Sequence, residues 1–296
     1  MRALVTGGTG FIGTKVVHAL RAAGHDVTAL VRSPARARTL AAWGCRLTEG
    51  DVTDPASLER AVEGCDCVVH LVAIIAGRAA DFERIMEQGT RDLVAASAAI
   101  GSPRLVLMSA LGTREDTKDL VPYFRAKWEM ERATRESGLD HVIFRPSFVF
   151  GRDGGVLPTF VRQVRYLPVT PVVGTGEAQL QPIWVDDVAA YVAKSVDAAG
   201  VVGRTFDLGG PDAVSWNELY ARIRRTLGAR RTTVHLPFGL VRAGAALAER
   251  LPRPPITRDQ LTMLERSGDN VCDVRPAVEA FGIHPIGLDE QLRRAV

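Results

Sequence analysis

Short apolar runs alternate with amphipathic stretches through the first half of the chain, the rhythm of a parallel sheet wound with helices. Arg2–Thr6 reads as a first strand, and the stretch after it sets Phe11, Ile12, Val16, Val17 and Leu20 on one helical face before Gly24 ends it. A second strand covers Asp26–Val31. Ser33-Pro34 opens a helix, Arg46–Glu49 makes a short strand, and Asp54-Pro55 opens a helix that runs to Val62. The pattern then predicts a strand over 67–72, a long helix over 80–99, a strand over 104–109, a helix over 122–137 and a strand over 141–145.

Past Arg145-Pro146 the rhythm loosens. Gly and Pro become frequent in the turns, and helices are predicted over 157–166, 186–198 and 215–227. Two further strands, 181–185 and Arg204–Leu208, are expected to return to the main sheet. The expected fold is therefore α/β, with a doubly wound parallel sheet in residues 1–150 that regains elements from about 181–209. Residues 151–180 and 210–296 form a smaller, discontinuous α+β domain for substrate binding or a lid.

Composition narrows the class only a little. With 296 residues, 46% hydrophobic and 24% charged, the chain can bury a sizeable core, and no apolar run approaches the roughly 18 residues of a membrane span. The formal charge of +3 comes without a lysine-rich tract, so nucleic acid is not expected as a partner. Arginine is used 33 times and lysine 4 times, which makes any one lysine informative. Four cysteines form no paired framework, and Cys65-x-Cys67 lacks a second ligand pair, so no metal is expected. The first strand starts at Arg2 without a charged leader, and a reducing cytosol is the expected compartment.

Candidate chemistry begins at Gly7-Gly8-Thr9-Gly10-Phe11-Ile12-Gly13, between the first strand and its helix. Glycines there permit the tight turn and let backbone approach a pyrophosphate, while the helix N-terminus offers free N–H groups and positive dipole. Gly7, Thr9, Gly10, Phe11, Ile12 and Gly13 are thus candidate contacts of a dinucleotide in a Rossmann-type domain. Proteins of this kind that prefer NAD carry an acid about 20 residues on. Here the second strand ends in Val31-Arg32-Ser33 with no carboxylate, and Arg36 and Arg38 follow. NADP(H) is the expected cofactor, with Arg32 on the 2′-phosphate and NAD as the alternative.

The spacing G-x-x-G-x-x-G resembles the extended and atypical branches of the short-chain dehydrogenase/reductase superfamily. That resemblance implies a seven-stranded Rossmann sheet with a smaller C-terminal substrate domain. It gives Asp51 and Val52 of Gly50-Asp51-Val52 the role of clasping the adenine, with a capping role for Asp51 as the alternative. Val69-His70-Leu71-Val72-Ala73 is similar to the family segment that lines the cofactor, hence Leu71, Val72 and Ala73. Arg145-Pro146-Ser147-Phe148-Val149-Phe150-Gly151 resembles the turn beside the nicotinamide, hence Pro146, Ser147 and Phe148.

Tyr123-Phe124-Arg125-Ala126-Lys127 matches the family's Y-x-x-x-K. Residues four apart share a helix face, and a neighbouring ammonium is expected to pull the phenol pKa down from about 10. Tyr123 would then be the acid–base, with Lys127 its tuner and a ligand of the nicotinamide ribose. Ser109, at the end of the fifth strand, would steady a substrate carbonyl across a loop shorter than that of typical extended members. Glu87-Gln88-Gly89-Thr90 resembles the family's N-x-E-G-T, but Met86 replaces the Asn that supports a proton relay. Asp186, in a segment similar to I-x-V-x-D-V-A, is an expected helix cap, and Ser215 opens a capping box.

Late segments, Ile256 to Leu261 and Asp269-Asn270-Val271, resemble the atypical subgroup related to the nucleotide-binding accessory subunit of respiratory complex I. Two functions follow from the resemblance. One is NADP(H)-dependent oxidoreduction or epimerase-like isomerisation of a small carbonyl or alcohol. The other is a non-catalytic nucleotide-binding accessory or assembly role, with contact to a respiratory complex or peripherally to the inner membrane. The stretch 240–251, with Arg242, Arg250 and Arg253, reads as a lid over the cleft in preference to a helix lying on an anionic membrane.

Overall fold

The structure is a computed structural model and describes residues 1–101, 103–248, 257–266, 268 and 270–296. Seven parallel strands form the main sheet: β1 (Arg2–Thr6), β2 (Asp26–Val31), β3 (Arg46–Glu49), β4 (Cys67–His70), β5 (Arg104–Met108), β6 (His141–Pro146) and β7 (Arg204–Leu208). Their order is β7-β6-β5-β4-β1-β2-β3, so the chain winds outward from β1 in one direction and then returns to β4 on the other side. This reversal opens a crevice between β1 and β4 at the C-terminal edge, where open sheets of this type hold ligands.

Alternation along the strands supplies both faces. Ala3 and Val5 of β1, Val69 of β4 and Phe144 of β6 pack with Val16, Val17 and Leu20 of helix α1 (Phe11–Ala22) on one side. Leu4, Leu30, Val68 and Leu105 pack on the other, against Leu58 and Val62 of α2 (Pro55–Val62) and Leu93 of α3 (Gly89–Ala99). The central strands β1, β4 and β5 are apolar nearly throughout because neither of their faces meets water. Toward the β5–β6 end, Leu107 and Ile143 meet Ala126 and Met130 of α4 (Pro122–Glu136).

A second core gathers Phe150, Leu157, Val161, Val172, Leu180, Trp184, Leu219, Ile223 and Leu292. It is bounded by helices Leu157–Tyr166, Trp216–Leu227 and Leu288–Ala295 and by three two-stranded ribbons. One ribbon corrects the sequence reading: the strand expected over 181–185 shrinks to Ile183–Trp184, which pairs with Val149–Phe150 instead of joining the main sheet. Arg204–Leu208 does join it, beside β6. The following helix α5 (Val185–Ser195) packs on α1 through Val188, Ala189 and Val192.

Other local differences have simple causes. The long helix expected over 80–99 is continuous but contains a π-helical run, Glu83–Gln88, ahead of α3. Asp186 does not cap α5, which starts one residue earlier; its carboxylate accepts the Trp184 indole N–H at 2.7 Å. Ser215 does cap its helix, accepting from the Glu218 amide at 3.1 Å. Of the stretch 240–251 expected as a lid, a helix is described over Phe238–Ala248; its remainder, with Arg250 and Arg253, lies outside the described residues, as do Ile256 and Asp269.

Candidate functional site

The glycine loop is built on contacts that leave no room for side chains. Gly7 stands at φ 76°, and a Cβ on it would sit 3.1 Å from the Leu71 carbonyl carbon and the Val72 nitrogen. The end of β4 therefore runs against the loop, with the Leu71 amide donating to the Thr6 carbonyl at 3.2 Å. A Cβ on Gly13 would clash with the Gly7 carbonyl oxygen, well inside contact distance, and would lie 2.8 Å from Gly8 Cα. Only a bare backbone lets α1 start this close to the turn. Gly10 caps α1 without a side chain, and no acid occupies its first turn, so the positive helix end is unneutralised. Thr9 and Gly10 are exposed there, the arrangement that receives a pyrophosphate. Phe11 is clasped from above: Cβ atoms on Gly151 and Gly154 would each run into its ring.

Around this loop lie the other expected contacts. Arg32 is exposed at the end of β2, and Arg32, Arg36 and Arg38 have no carboxylate partner among the described residues. Asp51 closes an Asx turn, its Oδ1 accepting the Thr53 amide at 2.9 Å and the Thr53 hydroxyl at 2.8 Å. Its Oδ2 makes no bond among the described residues, so turn formation and a contact to an exocyclic amine are compatible. Val52 is buried against Gly89, whose Cβ would approach the Val52 carbonyl oxygen to 3.0 Å. Leu71 and Val72 are half-buried and Ala73 is exposed just beyond the β4 edge.

Between β1 and α3 sits a polar chain that the sequence reading left out. His70 is fully buried, with Nδ1 2.6 Å from the Thr6 hydroxyl and Nε2 3.0 Å from the Thr90 hydroxyl, which itself bonds the Met86 carbonyl at 2.5 Å. Since the Thr90 proton goes to Met86, His70 must donate from Nε2 and accept at Nδ1. Burial, helped by the Lys127 charge, holds its pKa down at about 3, so the ring is neutral. The Met86 carbonyl is thus occupied by Thr90, and the Met86 side chain packs with Phe82, Leu107 and Met130 beneath Tyr123. Where the family has an amide this chain has an apolar thioether, inside a π-helical run of the kind found at functional positions.

Tyr123 and Lys127 lie one turn apart on α4, as expected. The Tyr123 hydroxyl makes no hydrogen bond among the described residues, and Lys127 Nζ is 5.9 Å from the phenol ring centre. Lys127 is buried and donates to the Met108 carbonyl at 2.6 Å, one residue before Ser109. Burial lowers its pKa to about 8, while Glu131 works in the opposite direction. One expectation is corrected: the Tyr123 phenol is not drawn down by Lys127 but pushed up to about 12. Desolvation of the phenol raises it, and Lys127 spends an N–H on the Met108 carbonyl rather than on the phenol. Ser109 is also buried; its hydroxyl reaches toward Thr113 Oγ1 at a long 3.4 Å, and its amide is held by the Phe144 carbonyl at 2.7 Å.

Glu131, the next residue along this helix face, was not singled out from sequence. It is fully buried and takes two bonds from Arg145, 2.7 Å to Nε and 2.6 Å to a terminal nitrogen, plus one from Arg135 at 2.5 Å. This ties the Tyr123–Lys127 helix to the β6 end that carries Pro146, Ser147 and Phe148. The signal was a carboxylate four residues after Lys127 together with the Arg of Arg145-Pro146. Of the turn residues, Pro146 is buried at the end of β6 and Phe148 stacks edge-on against Trp216. The Ser147 hydroxyl is committed to Asn270, 2.5 Å from its Oδ1, so only its backbone is free to meet a ligand.

A doubly wound sheet with an open glycine loop at its reversal point, and a Tyr–Lys pair on the helix following β5, defines a dinucleotide-binding protein of the Rossmann class. Residues 7–199 match the family described as NAD(P)H-binding, and the chain belongs to that family, within the atypical short-chain dehydrogenase/reductases. It is 31% identical to the (4-alkanoyl-5-oxo-2,5-dihydrofuran-3-yl)methyl phosphate reductase of Streptomyces griseus over 95% of this chain and 93% of that one. It is 29% identical to NADH dehydrogenase [ubiquinone] 1 alpha subcomplex subunit 9 of Rattus norvegicus, over 99% of this chain and 80% of that protein. In fold it is similar to the NADPH-dependent quinone oxidoreductase of Escherichia coli solved with NADPH, with a TM-score of 0.80, 22% identity and coverage of 99% and 98%. NAD(P)H binding is thus a property of this chain. Among the described residues, no helix is long and apolar enough to cross a membrane.

Proposed function

We propose that the chain is an NADP(H)-dependent oxidoreductase, or an isomerase of the same type, acting on a carbonyl or alcohol of a small molecule. The observation that carries this reading is the unbonded Tyr123 hydroxyl one helical turn from a buried Lys127, beside the end of β5. The nicotinamide supplies the hydride chemistry when bound. The backbone of Gly7 to Gly13 seats the pyrophosphate, Arg32 pairs with the 2′-phosphate and the free Asp51 oxygen receives the adenine amine. Leu71, Val72, Ala73 and the Pro146-Ser147-Phe148 turn wall the nicotinamide end.

In reduction Tyr123 gives its proton to the substrate oxygen, and in oxidation it takes one. A phenol with a pKa raised to about 12 is a competent donor at neutral pH, and it becomes a competent acceptor only as Lys127 approaches it. Two of the three Lys127 protons remain for the ribose and the phenol. Ser109 joins by rotating its hydroxyl away from Thr113, a contact long enough to give up at little cost.

A second reading is supported by Met86, whose carbonyl is taken by Thr90 and whose side chain offers no relay, and by the likeness to the complex I subunit. In it the nucleotide is held structurally and the chain serves a respiratory or membrane-associated assembly. Tyr123→Phe separates the two. Loss of at least 100-fold in kcat for NADPH-dependent carbonyl reduction, with the nucleotide Kd within about twofold, is expected for the enzyme. Unchanged turnover would overturn it. For the cofactor choice, Arg32→Ala is expected to weaken NADPH about tenfold in calorimetry and leave NADH unaltered. Equal effects on both would remove Arg32 from the 2′-phosphate.

A further inference from the structure

Charge is unevenly distributed along the chain. The segments 154–176 and 219–248 hold eight of the 37 Lys and Arg and none of the 34 Asp and Glu, so the remainder is net acidic. Two of the eight are neutralised, Arg222 by Asp212, Glu218 and Asp289, and Arg242 by Glu265. Arg162, Arg165, Arg224, Arg225, Arg230 and Arg231 have no carboxylate partner among the described residues; Arg224 bonds only the Thr233 hydroxyl.

The topology brings three of these, Arg165, Arg230 and Arg231, to one edge. Strand Val169–Val173 pairs in parallel with Thr232–Leu236, so the starts of both strands meet. Arg165-Tyr166-Leu167 leads into the first strand and Arg230-Arg231 into the second, and Arg231 donates to the Arg165 carbonyl at 3.4 Å. Paired residues share a face. One face buries Thr170 and Val172 on the second core, and the other turns outward Val169, Pro171 and Val173 beside Thr232, Val234 and Leu236. That outward face is aliphatic except for one threonine. Tyr166, 71% exposed, and Leu167, 40% exposed, extend it at the arginine-rich end.

We propose that this ribbon face is a docking surface for an anionic lipid bilayer, with Tyr166, Leu167 and Val169 entering the headgroup boundary and Arg165, Arg230 and Arg231 on the lipid phosphates. An aromatic with a polar tip beside aliphatic side chains and long cations is the composition that settles at a membrane interface. A second copy is a poor occupant, since a two-fold contact would bring the unpaired arginines of both copies together. Nucleic acid would meet aliphatic side chains where it needs stacking or hydrogen-bonding ones.

This surface is independent of the oxidoreductase reading, and nucleotide binding is followed in parallel so that either can fail alone. The full chain is sedimented with vesicles of phosphatidylcholine alone and with about one-third phosphatidylglycerol, at low and high salt. Binding is expected only to the anionic vesicles and is expected to weaken as salt rises. At about fivefold per arginine, Arg165→Gln, Arg230→Gln and Arg231→Gln together should cost on the order of 100-fold in vesicle affinity while nucleotide affinity is kept. Leu167→Ser with Val169→Ser is expected to weaken vesicle binding as well. A folded, nucleotide-binding protein that ignores anionic vesicles would overturn the surface, as would equal binding to neutral ones. Binding to polyglutamate as strong as to vesicles, and indifferent to the two Ser substitutions, would also overturn it in favour of an acidic polypeptide.

Discussion

Lys127 illustrates how one buried charge can set a pH range. Its pKa, ordinarily 10.5, falls to about 8 because α4 and β5 desolvate it, and Glu131 limits the fall. The unfolded chain therefore binds more protons than the folded one between about 8 and 10.5, so this group's contribution to stability rises with pH across that window. Nucleotide binding should run the other way, because the ammonium and not the amine makes the stronger bond to a ribose hydroxyl. Affinity measured by calorimetry is expected to be flat below pH 8 and to decline by up to roughly tenfold per unit above it. Lys127→Met should bind more weakly with no such decline; a decline that persists in that variant would assign it to another group. His70 stays outside this range, since its pKa of about 3 keeps the ring neutral at any pH the protein meets.

At the scale of elements, the join between β1 and α1 is the least forgiving. The Gly13 Cα faces the Gly7 carbonyl so closely that a methyl must push the helix off the loop. Gly13→Ala is expected to destabilise the fold by about 1–3 kcal/mol and to weaken the dinucleotide by at least tenfold, read by thermal denaturation and calorimetry. Gly24→Ala is a useful comparison, since a Cβ there meets nothing within 4 Å and the cost is confined to its φ of 82°. A Gly13→Ala protein that binds normally would show that α1 slides at little cost, and the phosphate seat would need another explanation.

Across the whole molecule, the parts legible in the sequence are those whose cause is local. Strands β1, β2, β4, β5 and β6 announce themselves because both sheet faces are buried along most of their length, and the glycine loop because backbone geometry there excludes side chains. Tyr123, Lys127 and Ser109 could be placed for the same reason: they sit at fixed distances from recognisable strands. What the sequence hid is non-local. Ser147 and Asn270 meet across 123 positions, and Glu131 depends on Arg145 from another element. The two-residue strands Val149–Phe150 and Ile183–Trp184 are too short to carry a period, so the pattern over 181–185 points to the main sheet while the chain pairs it with Val149–Phe150. The Tyr123 pKa is not legible in the sequence because spacing gives the neighbouring Lys127 but not the desolvation that outweighs it.

The position of β7 has a consequence for how such a chain could have been assembled. Its partner β6 ends at Pro146, yet the strand arrives only at Arg204, after the chain has made a ribbon, a helix of the second core and α5. A fragment stopping at Phe150 would leave the β6 edge unpaired and strip α5 from Val16 and Val17. The nucleotide-holding part and the second core are thus interleaved, since the second core draws on Phe150 to Trp184 and again on Val214 to Leu292, and gene shuffling could exchange it only by cutting on both sides of its first stretch and again past β7.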